Sequence, residues 1–114
     1  MKNISKELIG ASSTPIILSI LAEGENYGYE IIQRIKEVSG GQLEWSEGSL
    51  YPVLHKLEKN GQIVSVWRQS ESGRKRKYYS LNQKGAEYLS SHQENWNYIN
   101  SIMQKLWSQK VNLT

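Results

Sequence analysis

Two stretches of the sequence alternate with the period of a strand, and they lie almost back to back. Gln62 to Arg68 carries Ile63, Val64, Val66 and Trp67, Arg76 to Leu81 alternates again, and Ser70 to Gly73 between them has the composition of a turn. That is a hairpin, and the periodicity elsewhere is helical, so the chain is expected to be mainly α with a small antiparallel β-hairpin. Tyr79 and Leu81 are expected to face the core from the second strand, and Trp45 and Trp67 to be packing residues.

The same hairpin holds the charge. The net charge is +3, from 14 Lys and Arg against 11 Asp and Glu. Arg68, Arg74, Lys75, Arg76 and Lys77 are countered locally by Glu71 alone, so ten residues hold +4 and the other 104 sum to −1. Cations gathered about a tight turn repel one another, a cost that a polyanionic partner removes; the plainer reading is a solubilising charged turn.

Three helices are expected before the hairpin and one after it. Ile16, Ile17, Leu18, Ile20 and Leu21 follow Pro15, which suits a first helical position with Thr14 as cap and Gly24 at the exit. Residues 4–12 could extend this helix backwards through a kink at Pro15. It is apolar nearly all round and hence buried. A second helix runs from about Tyr27 to Ser39, with Gly28, Ile31, Ile35 and Val38 on one face and Gly40-Gly41 as the break. The third, near Ser46 to Asn60 and closed by Gly61, turns Leu50, Val53, Leu54 and Leu57 inward. Its start is open. Ser46 as cap gives Trp45 and Leu50 the positions of a hydrophobic staple but leaves Pro52 inside the helix, whereas Ser49 as cap puts Pro52 in the first turn. After the hairpin, Asn82 can cap a long final helix reaching roughly Lys110.

Several function classes fall away. The length, 114 residues, fits one compact unit, and the longest apolar stretch, Pro15 to Ala22, falls far short of a membrane span. The first ten residues lack an apolar signal core, so a cytoplasmic protein is expected, and the sequons at Asn3 and Asn112 are read as chance. Without cysteine there is no disulfide, thiolate nucleophile or zinc-thiolate site. Two histidines, His55 and His92, and no Gly-framed nucleophile or phosphate loop leave no catalytic constellation; no enzyme, cofactor or metal is expected.

Three compact helices followed by a two-stranded hairpin is the order of a winged helix-turn-helix, in which the third helix enters the major groove of DNA. At about 100° per residue, Gly48, Pro52, His55, Lys56 and Lys59 fall opposite the leucines, with Ser49 and Tyr51 flanking and Ser46 at the start. Hydroxyl and cationic donors of this kind serve phosphate oxygens and base edges alike. An ordinary solvated helix face is the alternative, and Glu47 is a mild contrary sign unless it only complements the helix N-terminus. Arg74, Lys75 and Arg76 are the foremost phosphate candidates; strand alternation can aim Lys77 and Arg68 elsewhere. A winged-helix module that binds protein and not DNA is the alternative function.

The runs YGYEII at Tyr27–Ile32, EGSLYPVLHKLEKNGQI at Glu47–Ile63 and GRKRKYYSLNQKG at Gly73–Gly85 resemble the PadR family of bacterial transcriptional regulators, in spacing as well as composition. The resemblance covers nearly the whole chain. It implies a homodimeric repressor with a winged-helix DNA-binding domain over residues 1–81 and a C-terminal dimerisation helix over residues 82–114. The single long terminal helix is similar to that of the short subfamily that includes multidrug-responsive regulators.

The residues of the last helix agree with such a dimer. Leu89, His92, Trp96, Ile99, Met103 and Leu106 step by threes and fours, with Ile102 and Trp107 widening the stripe. The first helix can cover part of it; a second copy of the chain related by a two-fold axis can take the rest. The resemblance implies a further role for Trp96, stacking on a planar hydrophobic or aromatic effector at the subunit seam, with Ile99, Asn100 and Met103 as neighbours. Interface packing is the other reading of Trp96, as it is of His92. The expected partner is double-stranded DNA bearing a pseudo-palindromic operator, with no membrane involved.

Overall fold

The computed structural model describes residues 3–109 together with 112 and 113. Helix α1 (Lys6–Ala22) leads to a two-residue strand β1 (Asn26–Tyr27), then α2 (Gly28–Val38), α3 (Glu47–Lys59), the hairpin β2 (Ile63–Gln69) and β3 (Lys75–Leu81), and α4 (Gln83–Trp107). The expected architecture is present, with one strand that sequence alternation could not reveal. β1 adds to the far edge of β3, giving the antiparallel order β1-β3-β2. Two residues are too few to alternate, and their pairing, Asn26 with Tyr79 and Tyr27 with Tyr78, exists only in the folded chain.

Two helix starts are decided by caps. α1 does not begin at Pro15 under a Thr14 cap; Ser5 caps it by accepting from the Leu8 N–H, and the helix runs on through Pro15. Proline deprives the Ala11 carbonyl of its intrahelical donor, and hydroxyls are plentiful there: Ser12 and Ser13 donate to carbonyls one turn back, and Ser19 donates to the Pro15 carbonyl at 2.6 Å. In α3 the choice falls to Ser46, whose Oγ accepts from the Ser49 N–H at 3.2 Å. Pro52 therefore lies inside α3. The cost is contained because Pro52 and Gly48 are both on the exposed side, where water can reach the stranded carbonyl.

The core is built from Ile17, Leu18, Ile20 and Leu21 of α1, Ile31 and Ile35 of α2, Leu50, Leu54 and Leu57 of α3, Ile63 and Tyr79 of the sheet, and Leu89 of α4. α2 and α3 each contribute one apolar stripe and leave the other side to water, whereas α1, apolar nearly all round, is buried at Ile17, Leu18, Ile20 and Leu21, half-buried from Ser12 to Ile16 and exposed at its start. Two expected members are missing. Val38, the last residue of α2, is 60% exposed beside an open concavity that it lines with α1. Trp67 is 67% exposed, and it is not a packing residue of this chain.

Asn82 caps α4, its Oδ1 accepting from the Gly85 N–H at 2.8 Å while its Nδ2 donates to the Gly61 carbonyl at 2.6 Å. The first turns of α4 pack on α1 and bury Leu89. Beyond Trp96 the helix leaves the body. The radius of gyration is 16.9 Å, against about 13 Å for a compact chain of this length. The expected end near Lys110 lies outside the described residues; among those described, the helix closes at Trp107 with Ser108 as its C-cap.

Candidate nucleic-acid interface

The hairpin and the third helix face the same space. Strand register sorts the wing into two sides: cross-strand partners share a face, so Ser65 and Tyr79, Trp67 and Lys77, and Gln69 and Lys75 lie on one, and Val66 with Tyr78 and Arg68 with Arg76 on the other. The first set is turned toward α3. Together they border a groove of about 560 Å³ lined by Tyr51 and His55 from α3, Trp67 from β2, and Arg74, Lys75 and Lys77 from the wing, with Arg76 and Tyr27 also reaching it. Tyr29 lines it from the start of α2, and Glu47 is its acidic member.

Side-chain contacts divide the five hairpin cations. Lys77 reaches Glu58 of α3 at 3.6 Å, and the same carboxylate accepts from the Ser65 hydroxyl, tying the root of the wing to the C-terminal half of α3. On the opposite side Arg68 pairs with Glu25, and the Arg76 guanidinium stands 4.3 Å from the centre of the Tyr27 ring, which meets Tyr78 edge-on at 5.3 Å. These contacts anchor the wing to the α1–α2 connection. Arg74 and Lys75, at the tip, are exposed, and among the described residues no carboxylate pairs with them. The tip turn is closed by Gly73, at φ +83°, whose N–H donates to the Ser70 carbonyl at 2.8 Å.

On α3, Ser46, Ser49, Pro52, His55, Lys56 and Lys59 are exposed and Tyr51 is half-buried. Tyr51 and His55 line the groove; Ser49 lies in a separate concavity with Trp45 and Val53, between α3 and α1. Tyr29 and Trp67 were not legible as groove residues. Strand parity puts Trp67 on the core-facing side, and only the folded chain reveals that an open groove, not the core, lies at that level. Tyr79, buried under the wing, has its phenol pushed up to about 12, first by burial and then by the nearby Tyr51 and Glu58.

A second concavity, about 400 Å³, lies where α1, α2 and α4 meet. Trp96 lines it with Pro15, Ile16, Ile20 and Val38, and Glu23 and Arg34 stand at its edge. Arg34 donates to both Glu23 oxygens, at 2.9 and 2.8 Å, and this pairing lowers the carboxyl below its usual range. Ile99, Asn100 and Met103 are not among its lining residues. His92 packs edge-on against Tyr88 at 4.6 Å. Among the described residues no His, Asp and Glu group is placed to hold a metal ion, and no helix is long and apolar enough to cross a membrane.

A winged helix-turn-helix whose third helix and basic wing border one groove defines a DNA-binding regulator. Residues 17–91 match the model of the transcriptional regulator PadR-like family, and the chain belongs to that family. It is 33% identical over 79 residues to the transcriptional regulator YqjI of Escherichia coli, covering 69% of this chain and 36% of that protein. An uncharacterized protein of Lysinibacillus sphaericus is 32% identical over 88% of this chain and 92% of its own length. Among solved structures, a transcriptional regulator from Clostridium thermocellum superposes with a TM-score of 0.80 at 33% identity, over 88% of this chain and 97% of that one. A PadR-like regulator from Bacillus cereus gives 0.81 at 28%, over 92% and 100%. The family is one of non-enzymatic DNA-binding proteins, in keeping with the missing catalytic constellation.

Proposed function

We propose that the protein is a homodimeric repressor that binds a pseudo-palindromic operator and is released by a planar hydrophobic effector. The observation that carries the DNA-reading geometry is the shared groove of α3 and the wing. In this reading α3 enters the major groove, with Ser46, Ser49, Tyr51, Pro52 and His55 at base edges or groove walls and Lys56 and Lys59 on phosphates. Arg74, Lys75, Arg76 and Lys77 attract the backbone without regard to sequence. Two copies present their reading helices about 34 Å apart, one duplex turn.

Dimerisation through α4 is supported by the surface it leaves open. Past Leu89 the helix exposes Trp96, Ile99, Ile102, Leu106 and Trp107, a stripe too apolar for a solvated helix, of which Trp96 borders the concavity beside α1. The concavity beside Trp96 supports the effector reading: its lining is mostly apolar, and one wall is α4, the proposed dimer helix. An effector acts only through its difference in affinity for the bound and released arrangements.

The test is a gel shift with the duplex immediately upstream of the protein's own gene. The expected result is a salt-sensitive complex of one dimer per duplex, weakened by the effector. Indifference to both duplex DNA and heparin would overturn the reading in favour of a protein-binding module.

A further inference from the structure

Neither the core nor the anchoring contacts of the wing account for Trp67. Trp67 is the most exposed large hydrophobic residue of the sheet, at 67%, yet it is not on the outer side with Val66 and Arg68. It lies across from Lys77, on the side that looks toward α3, and lines the groove between Tyr51 and His55 on one flank and Lys75 and Lys77 on the other. Toward the tip it borders a second depression with Arg68, Gln69 and Lys75. α3 runs past the level of Trp67, with Glu47, Tyr51 and His55 on the facing wall of the groove, and the ring stands in the open space between them.

We propose that Trp67 is a DNA-contacting residue, packing its indole on the sugar edge of the strand that runs between α3 and the wing. The charge of the groove selects this occupant. A sugar–phosphate backbone alternates an apolar deoxyribose with an anionic phosphate, and the groove alternates likewise, an apolar ring between cations. The indole N–H, which can only donate, is suited to a phosphate oxygen and to no cation. The contact is independent of base sequence. It fixes how deeply the duplex settles toward Tyr51 and His55, and so positions the residues that read. The inference rests on the DNA-binding reading of the groove.

Trp67→Ala and Trp67→Phe are compared with the unaltered chain by titration of a fluorescein-labelled duplex of mixed sequence over a range of salt concentrations. The alanine variant is expected to bind about tenfold more weakly at every salt concentration, the loss of one well-packed aromatic contact. The dependence of log affinity on log salt keeps its slope, because no phosphate-bound cation is lost. The phenylalanine variant is expected to fall between the two. Quenching of tryptophan emission by DNA is expected in the unaltered chain and absent in Trp67→Phe. Thermal melts are expected to coincide, since an exposed ring contributes little to folding; a merely structural role would lower the melting temperature in step with affinity. Full affinity and full quenching in the variants would overturn the assignment of Trp67 and leave the DNA reading standing. Failure of the unaltered chain to bind any duplex would overturn both.

Discussion

The hydroxyl of Tyr51 lies over Gly28 where only a hydrogen atom fits: a β-carbon on that glycine would stand 2.5 Å from Oη and 3.0 Å from Cζ. Tyr51 is thereby seated against the first turn of α2, and the orientation of α3 is set by a contact between its own exposed flank and the helix before it. Gly28→Ala is expected to lower stability by about 1–3 kcal/mol, the usual cost of overpacking. The double variant with Tyr51→Phe is expected to lose less than the single one, because the nearest atom has gone. Thermal melting of the four members of this cycle measures the coupling.

A similar approach holds α4 against the hairpin. A β-carbon at Gly85 would overlap the backbone carbonyl of Gln62, which cannot move without unpairing the start of β2. Gly85→Ala is therefore expected to be more damaging than Gly28→Ala, by about 3 kcal/mol or more, seen as a fall in melting temperature. Asn82→Ala, which removes the α4 cap and the bond to Gly61, is expected to cost about 1–2 kcal/mol.

The wing cations are expected to separate in their salt dependence. Arg74→Ala and Lys75→Ala should each weaken binding to all duplexes alike and flatten the log–log salt slope by up to about one unit per subunit. Glu58→Gln should do the reverse, releasing Lys77 from its ion pair and removing a carboxylate near the duplex, so that affinity rises and the slope steepens. Fluorescence anisotropy at several salt concentrations reads both quantities.

Alkaline stability is expected to depend on Tyr79. Burial raises its phenol to about 12 from an ordinary 10, so between those values the unfolded chain loses the proton while the folded one keeps it. The contribution is fully present below pH 10 and disappears as pH rises through the folded value. Urea midpoints measured from pH 8 to 12 should fall over the last two units, and Tyr79→Phe should flatten that fall.

On α4, Ile99→Asp and Leu106→Asp place charges on residues that are 51% and 60% exposed in the single chain. Neither should disturb the fold of the protomer, and both should shift the dimer to monomer in sedimentation equilibrium. Trp96→Ala should keep the dimer but lose the quenching of tryptophan emission by planar cationic dyes.

Much of this was written locally. The leucine stripe of α3, the alternation of the hairpin, the Asn82 cap and the clustering of charge about Gly73 are each readable within a dozen residues, because helix and strand periods and turn chemistry act over that distance. The family motifs were legible for the same reason. What failed locally was what depended on how closely two elements approach. Val38 and Trp67 have the parity of core residues and are exposed because each borders an open concavity between its own element and the next. Pro15 could be read as a helix start or as the site where an earlier helix passes through, and the upstream Ser5 cap decided for the second, making it an interior residue.

The sequence by itself determined the element types, their order and the excess of positive charge on the hairpin, since propensity, period and side-chain charge belong to single residues and their near neighbours. Only the tertiary structure decided which cations are held by Glu25, Tyr27 and Glu58 and which stay exposed, that β1 completes the sheet, and that Tyr51, His55 and Trp67 share a groove with the wing. Those outcomes depend on register and on close approaches such as Gly28 to Tyr51, which bring together residues far apart in the chain and leave no periodic trace in it.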